Sequence, residues 1–153
     1  MTTDEFIIRE ATAADMDGIS RVRTSVRENL LTVAQLAERG ITNASVAASL
    51  LTHRRGWVAQ RGREIVAFSM ADRRDGSLFA LFVLPGYEGR GLGSRLLELA
   101  VQWLWDNGTE IAWLTTGPGT RAAGFYARRN WIEAGAHSTG DIRFELRRPP
   151  GRA

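Results

Sequence analysis

The 153-residue chain contains no cysteine and no lysine, and its two histidines, His53 and His137, are far apart in the sequence. The absence of cysteine excludes disulfides, a thiolate nucleophile and thiolate metal sites, and two separated histidines give no reason to expect a metal. The absence of lysine excludes a Walker phosphate loop, which needs a lysine followed by serine or threonine. We therefore expect chemistry that uses no metal and no covalent cysteine intermediate.

Long apolar runs and clusters of positive charge are also missing. Without a membrane-spanning run or a signal-peptide pattern, the sequence predicts a cytoplasmic protein that does not contact membranes. The 20 basic residues are scattered arginines and the net charge is only +3, so we expect no nucleic-acid partner. The length and the 44% hydrophobic content are those of one globular domain, residues 1–153.

The periodicity of apolar residues predicts a mixed fold of the α/β (α+β) class. Thr12 followed by Asp15 reads as a helix-capping pair, and short glycine turns near Gly62 and Gly76 imply an antiparallel meander of three strands. A helix crosses between that meander and the next strand, so this strand should run parallel to the last strand of the meander. The predicted strands cover residues 6–9, 57–60, 65–72, 78–83, 111–115, 132–136 and 142–146, and the predicted helices cover 12–30, 33–39, 42–50, 92–106 and 121–129.

A glycine-rich loop between a predicted strand and a predicted helix is the most informative segment. Gly89, Gly91 and Gly93 would leave backbone N–H groups unpaired at the positive end of the helix, where a phosphate can approach them. The spacing is Gly-x-Gly-x-Gly, whereas a dinucleotide loop needs Gly-x-Gly-x-x-Gly and an acidic residue after the next strand. A pyrophosphate cradle is predicted, and a plain strand-to-helix turn with glycine caps is the alternative.

This loop resembles the acetyl-CoA loop of the GCN5-related N-acetyltransferase (GNAT) family. The family pattern is Val-x-Pro, then Gln/Arg-x-x-Gly-x-Gly/Ala, then a helix that carries Leu-Leu. Here Val83 and Pro85 supply the first part, and residues 88–93 form the loop. Glu88 replaces the usual Gln or Arg, so we expect its carboxylate to turn away from a bound pyrophosphate.

A second segment, residues 120–131, resembles a family motif written Asn-x-x-Ala-x-x-x-Tyr-x-x-x-Gly-Phe. Ala122, Tyr126 and Trp131 fall on its Ala, Tyr and Phe. Gly119 and Asn130 stand where the family has Asn and Gly. The contact that the family's Asn makes to pantetheine therefore does not carry over to this chain, while Asn130 can still adopt a tight turn.

The resemblance implies a mixed, mostly antiparallel sheet of about seven strands flanked by helices. In this fold the strands at 78–83 and 111–115 splay apart and the pantetheine arm of acetyl-CoA lies between them. Free backbone groups of the first strand would bind the arm, and the loop would bind the phosphates. The residues implied for acetyl-CoA binding are Leu81, Phe82, Val83, Gly89, Arg90, Gly91, Leu92, Gly93 and Ser94.

The resemblance also implies a reaction, the direct transfer of an acetyl group to a primary amine of a small molecule or peptide. Tyr126 matches the family's acid, which protonates the leaving thiolate, and the alternative is a core aromatic whose hydroxyl bonds the backbone. The acceptor region implied by the family contains Arg27 and Asn29, and Trp113 is a candidate wall of the acceptor pocket. A homodimer is one assembly that this interpretation leaves open.

No base for the amine is visible in the sequence. Residues 77–83 carry no ionisable side chain, and Asp72 and Asp75 are expected in a solvated turn. His53 and His137 are expected to be cap or surface residues. Two other functions stay open: a non-catalytic acyl-CoA-binding or sensing module, and a nucleic-acid-binding domain, which would need a basic face.

Overall fold

The computed structural model describes residues 5–25, 38, 42–136 and 140–150. Within them seven strands form one mixed sheet in the order β1-β2-β3-β4-β5-β7-β6. The strands are β1 (Ile7–Glu10), β2 (Arg54–Arg61), β3 (Glu64–Asp72), β4 (Ser77–Val83), β5 (Ile111–Thr116), β6 (Ile132–Ala136) and β7 (Ile142–Arg147). The helices are α1 (Met16–Ser25), α2 (Asn43–Ser49), α3 (Leu92–Asp106) and α4 (Arg121–Ala127).

β2, β3 and β4 form the antiparallel meander of three strands that the sequence predicts, and β1 pairs antiparallel with β2 beside it. Gly62 and Gly76 have φ of +61° and +76°, so the two tight turns use the left-handed conformation that glycine adopts without a steric penalty. β2 begins at Arg54, three residues before the predicted start. The predicted boundary was wrong because the pair Arg54 and Arg55 is charged, yet both residues pair with the end of β3.

The start of α1 confirms the predicted capping pair. The Thr12 N–H donates to the Asp15 carboxylate at 2.8 Å, and Arg9 donates to the same carboxylate at 2.8 and 2.9 Å. These bonds, first that from Arg9, hold the pKa of Asp15 below its usual value. A single 3-10 turn, Ala13–Asp15, precedes α1. The predicted helix at 33–39 and the predicted end of the first helix, residues 26–30, lie outside the described residues, apart from position 38.

The sheet buries a different set of residues on each face. α3 covers one face, and a hydrogen bond from the Ser69 hydroxyl to the Leu96 carbonyl at 3.0 Å ties this helix to β3. Trp105 is buried on this face, while Trp103 is half-buried and meets Trp57 edge to face. α1 and α2 cover the opposite face, where Ile19, Val22, Val46, Phe68, Met70 and Ala80 form the core.

The last part of the chain completes the sheet on the other side. β5 is parallel to β4, as predicted, and β7 inserts antiparallel between β5 and β6. α4 ends at Ala127, two residues earlier than predicted, because Asn130 takes a φ of +72° and turns the chain into β6. No helix of the described residues is long and apolar enough to cross a membrane.

Candidate functional site

β4 and β5 are joined by a single ladder pair, Ser77 with Trp113. The Trp113 N–H also donates to the Gly76 carbonyl at 3.1 Å, so the two strands are held together where β4 begins. Beyond that point β4 stays paired with β3 and β5 stays paired with β7. The space between the two strands is therefore an open wedge with unpaired backbone on its edges.

The backbone N–H and C=O groups of successive residues on β4 point alternately to β3 and into the wedge. The Leu84 N–H donates to the Val66 carbonyl of β3 at 2.7 Å, so this is a hydrogen-bonded antiparallel pair. Counting back in the register, the backbone groups of Phe82 point to β3, and those of Leu81 and Val83 point into the wedge. The backbone of Leu81, Phe82 and Val83 was expected to bind the pantetheine arm. Phe82 is excluded from this role because its N–H and C=O groups bond to β3 within the sheet.

A β-bulge interrupts β4 near the closed end of the wedge. Met70 pairs with Ala80 and Ala71 pairs with Leu78, so Phe79 is an additional residue on β4. A bulge bends its strand and increases the local twist, which fits the divergence of β4 from β5. No pattern in the sequence indicates the bulge, because residues 78–83 form an uninterrupted apolar run.

The glycine loop at the wide end of the wedge has the conformation that the sequence implies. Gly86, Gly89 and Gly91 have φ of +95°, +77° and +80°. A Cβ added at any of them would meet no heavy atom within 4 Å, so open space lies in front of this backbone. Gly91 is the N-cap of α3 and provides no side-chain cap. The first-turn N–H groups of α3 therefore face an approachable, partly positive surface suited to a phosphate.

The side chains around this loop form contacts that the sequence did not reveal. The Glu88 carboxylate accepts from the Gly86 N–H at 2.9 Å and lies 3.4 Å from Arg121 of α4, so its charge is paired. Arg129 donates to the Ser94 hydroxyl at 2.6 Å and stacks on the Phe125 ring at 3.7 Å. Arg121 and Arg129 thus bring positive charge to the start of α3, and only the folding of α4 beside α3 places them there.

Arg90 lies on the outer side of the same loop. Its guanidinium is 5.9 Å from the Phe6 ring centre and 5.6 Å from that of Tyr87. The predicted loop residues Gly93 and Leu92 belong to the first turn of α3, where Leu92 is buried and Gly93 packs against Phe125. The structure thus places the predicted phosphate-loop residues in one continuous segment.

Tyr126 is buried in the α3-side core, where its ring contacts Phe125, Trp131 and Phe144 with centroid distances of 5.2, 5.6 and 6.2 Å. Burial raises its pKa, so the phenol stays protonated at neutral pH. No hydrogen bond to its hydroxyl is present among the described residues. The alternative of a hydroxyl bonded to the backbone therefore has no support in that part of the chain.

Of the predicted acceptor-site residues, the structure describes only Trp113. The indole N–H of Trp113 donates to the Asp75 carbonyl at 2.9 Å, and Arg143 lies 4.3 Å from its ring centre. Trp113 is thus fixed at the closed end of the wedge. Arg27 and Asn29 lie outside the described residues, as does His137, so their predicted roles stay predictions.

Asp72 corrects one expectation, because it is buried and not in a solvated turn. Its side chain is 4% exposed and lies 3.0 Å from both Arg54 and Arg74 and 3.7 Å from His53. Burial opposes ionisation of this carboxyl, but the hydrogen bonds from Arg74 and Arg54 outweigh it and hold the pKa below its usual value. Asp72 is therefore a structural anion, and a weak base. Across the described residues, His, Asp and Glu form no cluster of three that could hold a metal ion.

Comparisons with known proteins decide the family. The sequence model of the acetyltransferase (GNAT) family matches residues 19–131. The chain belongs to the GNAT family. An uncharacterized N-acetyltransferase of Archaeoglobus fulgidus is 29% identical over 135 residues, which cover 80% of this chain and 90% of the relative.

Solved GNAT structures share the fold. PaiA N-acetyltransferase from Thermoplasma acidophilum, in complex with coenzyme A, has a TM-score of 0.81 at 12% identity and covers 94% of this chain and 99% of its own. An N-acetyltransferase from Staphylococcus aureus Mu50 has a TM-score of 0.75 at 16% identity, with 94% and 99% coverage. The seven-stranded mixed sheet of this protein is thus the GNAT fold, and the protein is an acyltransferase of this N-acetyltransferase family.

Proposed function

We propose that this GNAT protein binds acetyl-CoA in the wedge between β4 and β5 and transfers the acetyl group directly to a primary amine. The observation that carries the proposal is the continuity of the wedge with the glycine loop. Backbone groups of Leu81 and Val83 face the wedge, and α3, whose first turn is uncapped, begins nine residues after Val83. One extended ligand with an amide-containing arm and a pyrophosphate can use both.

The residues present fit the phosphate end of such a ligand. Glycine at 86, 89 and 91 leaves the loop backbone exposed to open space. Arg121 and Arg129 lie close to the loop, and the one acidic side chain in it, Glu88, is held by Gly86 and Arg121. Backbone N–H groups, the positive end of α3 and nearby guanidinium groups together favour an anion at this point.

The residues at the other end supply the chemistry. Bound acetyl-CoA supplies a thioester carbonyl that the acceptor nitrogen attacks, so that a C–N bond forms and the C–S bond breaks. Tyr126 is the proposed donor of the proton that the leaving sulfur takes up, because its raised pKa keeps the proton on the phenol until a strong base appears. The amine loses its own proton to water. Transfer is direct because the chain has no cysteine to carry the acetyl group.

Thiol release from acetyl-CoA, measured with a panel of primary amines, tests this function. We expect release above the buffer rate with at least one amine, together with an acetylated product of that amine. Binding of acetyl-CoA without release, for every amine class in the panel, would instead indicate a non-catalytic acyl-CoA-binding or sensing module.

A further inference from the structure

Arg23, in the last turn of α1, is a buried cation without an acidic partner. Arg23 is only 9% exposed. Among the described residues, no carboxylate forms an ion pair with it and no acceptor bonds its guanidinium. Its neighbours are aromatic rings, with Phe68 at 5.5 Å and Phe82 at 6.0 Å from the guanidinium carbon to the ring centre. Arginine is almost never buried this deeply without a counter-charge.

The electrostatic environment of Arg23 is unfavourable as it stands. Burial, and then the positive charge of nearby Arg54, lower its pKa from the usual arginine value. Arginine nevertheless keeps its proton in proteins, so a full positive charge remains. Arg54 is a cation and cannot compensate this charge; it is itself bonded to Asp72 at 3.0 Å and stacked on Phe79 at 4.6 Å. An unpaired buried charge costs free energy, and such local violations concentrate at functional sites.

The guanidinium is not sealed off from solvent. Among the described residues, the fully buried side-chain nitrogens that lack a partner are Arg55 Nε and Arg148 Nε, and no nitrogen of Arg23 is one of them. Since Arg23 also has no hydrogen bond there, each of its nitrogens keeps some contact with solvent. The guanidinium is therefore buried but not fully closed off from a ligand.

Arg23 lies next to a residue of β4, the strand that forms one edge of the wedge. Its neighbour Phe82 lies between Leu81 and Val83, whose backbone groups face the wedge. Phe82 packs on the face of the sheet that α1 covers, whereas α3, with the glycine loop at its start, packs on the opposite face. The phosphate end of acetyl-CoA would thus lie on the α3 face, and the thioester in the wedge is approachable from the α1 face, where Arg23 is.

We propose that Arg23 binds a carboxylate of the acceptor, so that the acceptor is an amine that also carries a carboxylate, such as an amino acid or a peptide with a free C-terminus. This inference rests on the proposed acetyl transfer and names the class of acceptor. The planar guanidinium offers two parallel N–H groups that match a carboxylate, and the two phenylalanine rings hold it in place. The acceptor carboxylate then supplies the missing counter-charge.

The first test needs no variant. Amino acids and dipeptides are compared with their own carboxamides in the thiol-release assay, at equal concentrations of neutral amine, because amidation also lowers the amine pKa. We expect kcat/KM to be at least about tenfold higher for the acids, the effect of a charged hydrogen-bonded pair. Comparing the amino acids with the dipeptides shows whether a free amino acid or a peptide C-terminus is preferred. Equal kcat/KM for acids and amides in both arms would overturn the inference while leaving acetyl transfer in place.

The second test assigns the preference to Arg23. Arg23→Met should remove the preference for acids and leave the melting temperature unchanged or higher, since an unpaired buried charge is replaced by an apolar side chain. Arg21→Met is the matched control: it removes the same charge from the same helix, but Arg21 is half-exposed and paired with Glu64 at 3.3 Å. This control should keep the preference. A preference that survives Arg23→Met, or a loss of acetyl-CoA affinity in that variant, would contradict the assignment.

A binding readout separates the two proposals. The melting temperature of the wild-type protein with coenzyme A is measured with each acid and with its amide. Stabilisation by the acids only, lost in Arg23→Met and kept in Arg21→Met, supports the carboxylate site even if no amine is acetylated and the proposed function fails. No difference between acids and amides in this measurement would count against the site.

Discussion

Tyr126 has the properties of a proton donor that does not ionise by itself. The ring is packed among Phe125, Trp131 and Phe144, and the pKa is raised by burial. Its hydroxyl is not used by any described residue. Because packing holds the ring and no hydrogen bond among the described residues holds the hydroxyl, catalysis and stability can be separated at this position.

Tyr126→Phe should lower turnover by at least about tenfold, because the proton donor is lost while the ring and its packing remain. Acetyl-CoA affinity, measured by calorimetry, and the melting temperature should change little. Unchanged turnover with a true acceptor would assign the proton to water or to another residue. A large fall in melting temperature would instead indicate that the hydroxyl is a structural contact.

Asp72 should contribute to stability in a pH-dependent way. Its folded-state pKa lies below the ordinary 3.8, so the stabilisation is fully present above that pH and is lost as the pH falls through the lower folded value. Asp72→Asn should lower the free energy of unfolding at pH 7 by about 2 kcal/mol, as expected for lost charged hydrogen bonds. Wild type and variant should converge in acid. Denaturant unfolding at several pH values measures this.

The control for Asp72 is Asp106→Asn at the exposed end of α3, which should change stability by less than about 0.5 kcal/mol. A constant difference between wild type and Asp72→Asn from pH 7 down to strong acid would show that the lost contribution is not electrostatic.

Single residues differ in how far their surroundings could be predicted. Local pattern was enough for Thr12, Gly91 and Asn130, because capping and positive φ depend on neighbours in the sequence. The environments of Arg23 and Arg129 could not be predicted, because their contacts come from strands and helices far away in the chain. Asp72 was misjudged for the same reason, since β2 begins early enough to bring Arg54 to it.

At the scale of elements, the glycine loop offers a controlled test. Gly91 and Gly62 both have positive φ, of +80° and +61°, and a Cβ at either would meet no atom within 4 Å. Valine at either position should therefore cost a similar amount of stability, about 1–2 kcal/mol for a left-handed β-branched residue. Gly62 lies in the turn between β2 and β3, outside the glycine loop.

Gly91→Val should abolish acetyl-CoA binding in calorimetry, because the added side chain occupies the space in which phosphate oxygens reach the backbone. Gly62→Val should bind acetyl-CoA like the wild type. If both folded variants bind with undiminished affinity, the loop is a plain turn and the phosphates lie elsewhere.

Apolar periodicity predicts which segments form strands and helices, but not irregularities within them. It predicted β4 and α3, but not the bulge at Phe79, because a bulge changes pairing and leaves the composition of the strand unchanged.

At the scale of the whole molecule, element order and the parallel crossing of β4 and β5 followed from the sequence, because a connection through a helix requires that direction. The position of β7 between β5 and β6 did not, since a hairpin fixes which two strands pair but not which of them meets β5. The wedge was predictable only in part. The parallel direction of β5 follows from the sequence, whereas the bend of β4 away from β5 comes from the bulge.

The lack of an ionisable side chain on β4, which lies wholly in the described part of the chain, predicts the pH dependence of the reaction. Ser77 to Val83 carries no ionisable side chain, and Asp72 is engaged by arginines. At subsaturating acceptor, the rate should therefore rise with pH toward the acceptor's own pKa, for acceptors of different basicity. An inflection at one pH for all acceptors, which moves when Asp72 or His137 is replaced, would reveal a base supplied by the protein.

Direct transfer of the acetyl group from acetyl-CoA in the wedge to an amine can be followed in quenched time courses analysed by mass spectrometry. Samples of protein, acetyl-CoA and amine panel are assayed for acetylated amine, free coenzyme A and the intact protein mass. We predict that acetylated amine and coenzyme A appear together while the protein mass stays unchanged, and that Gly91→Val abolishes both products. Failure to acetylate any amine above the buffer rate, or acetylation of the protein before the amine, would contradict the account.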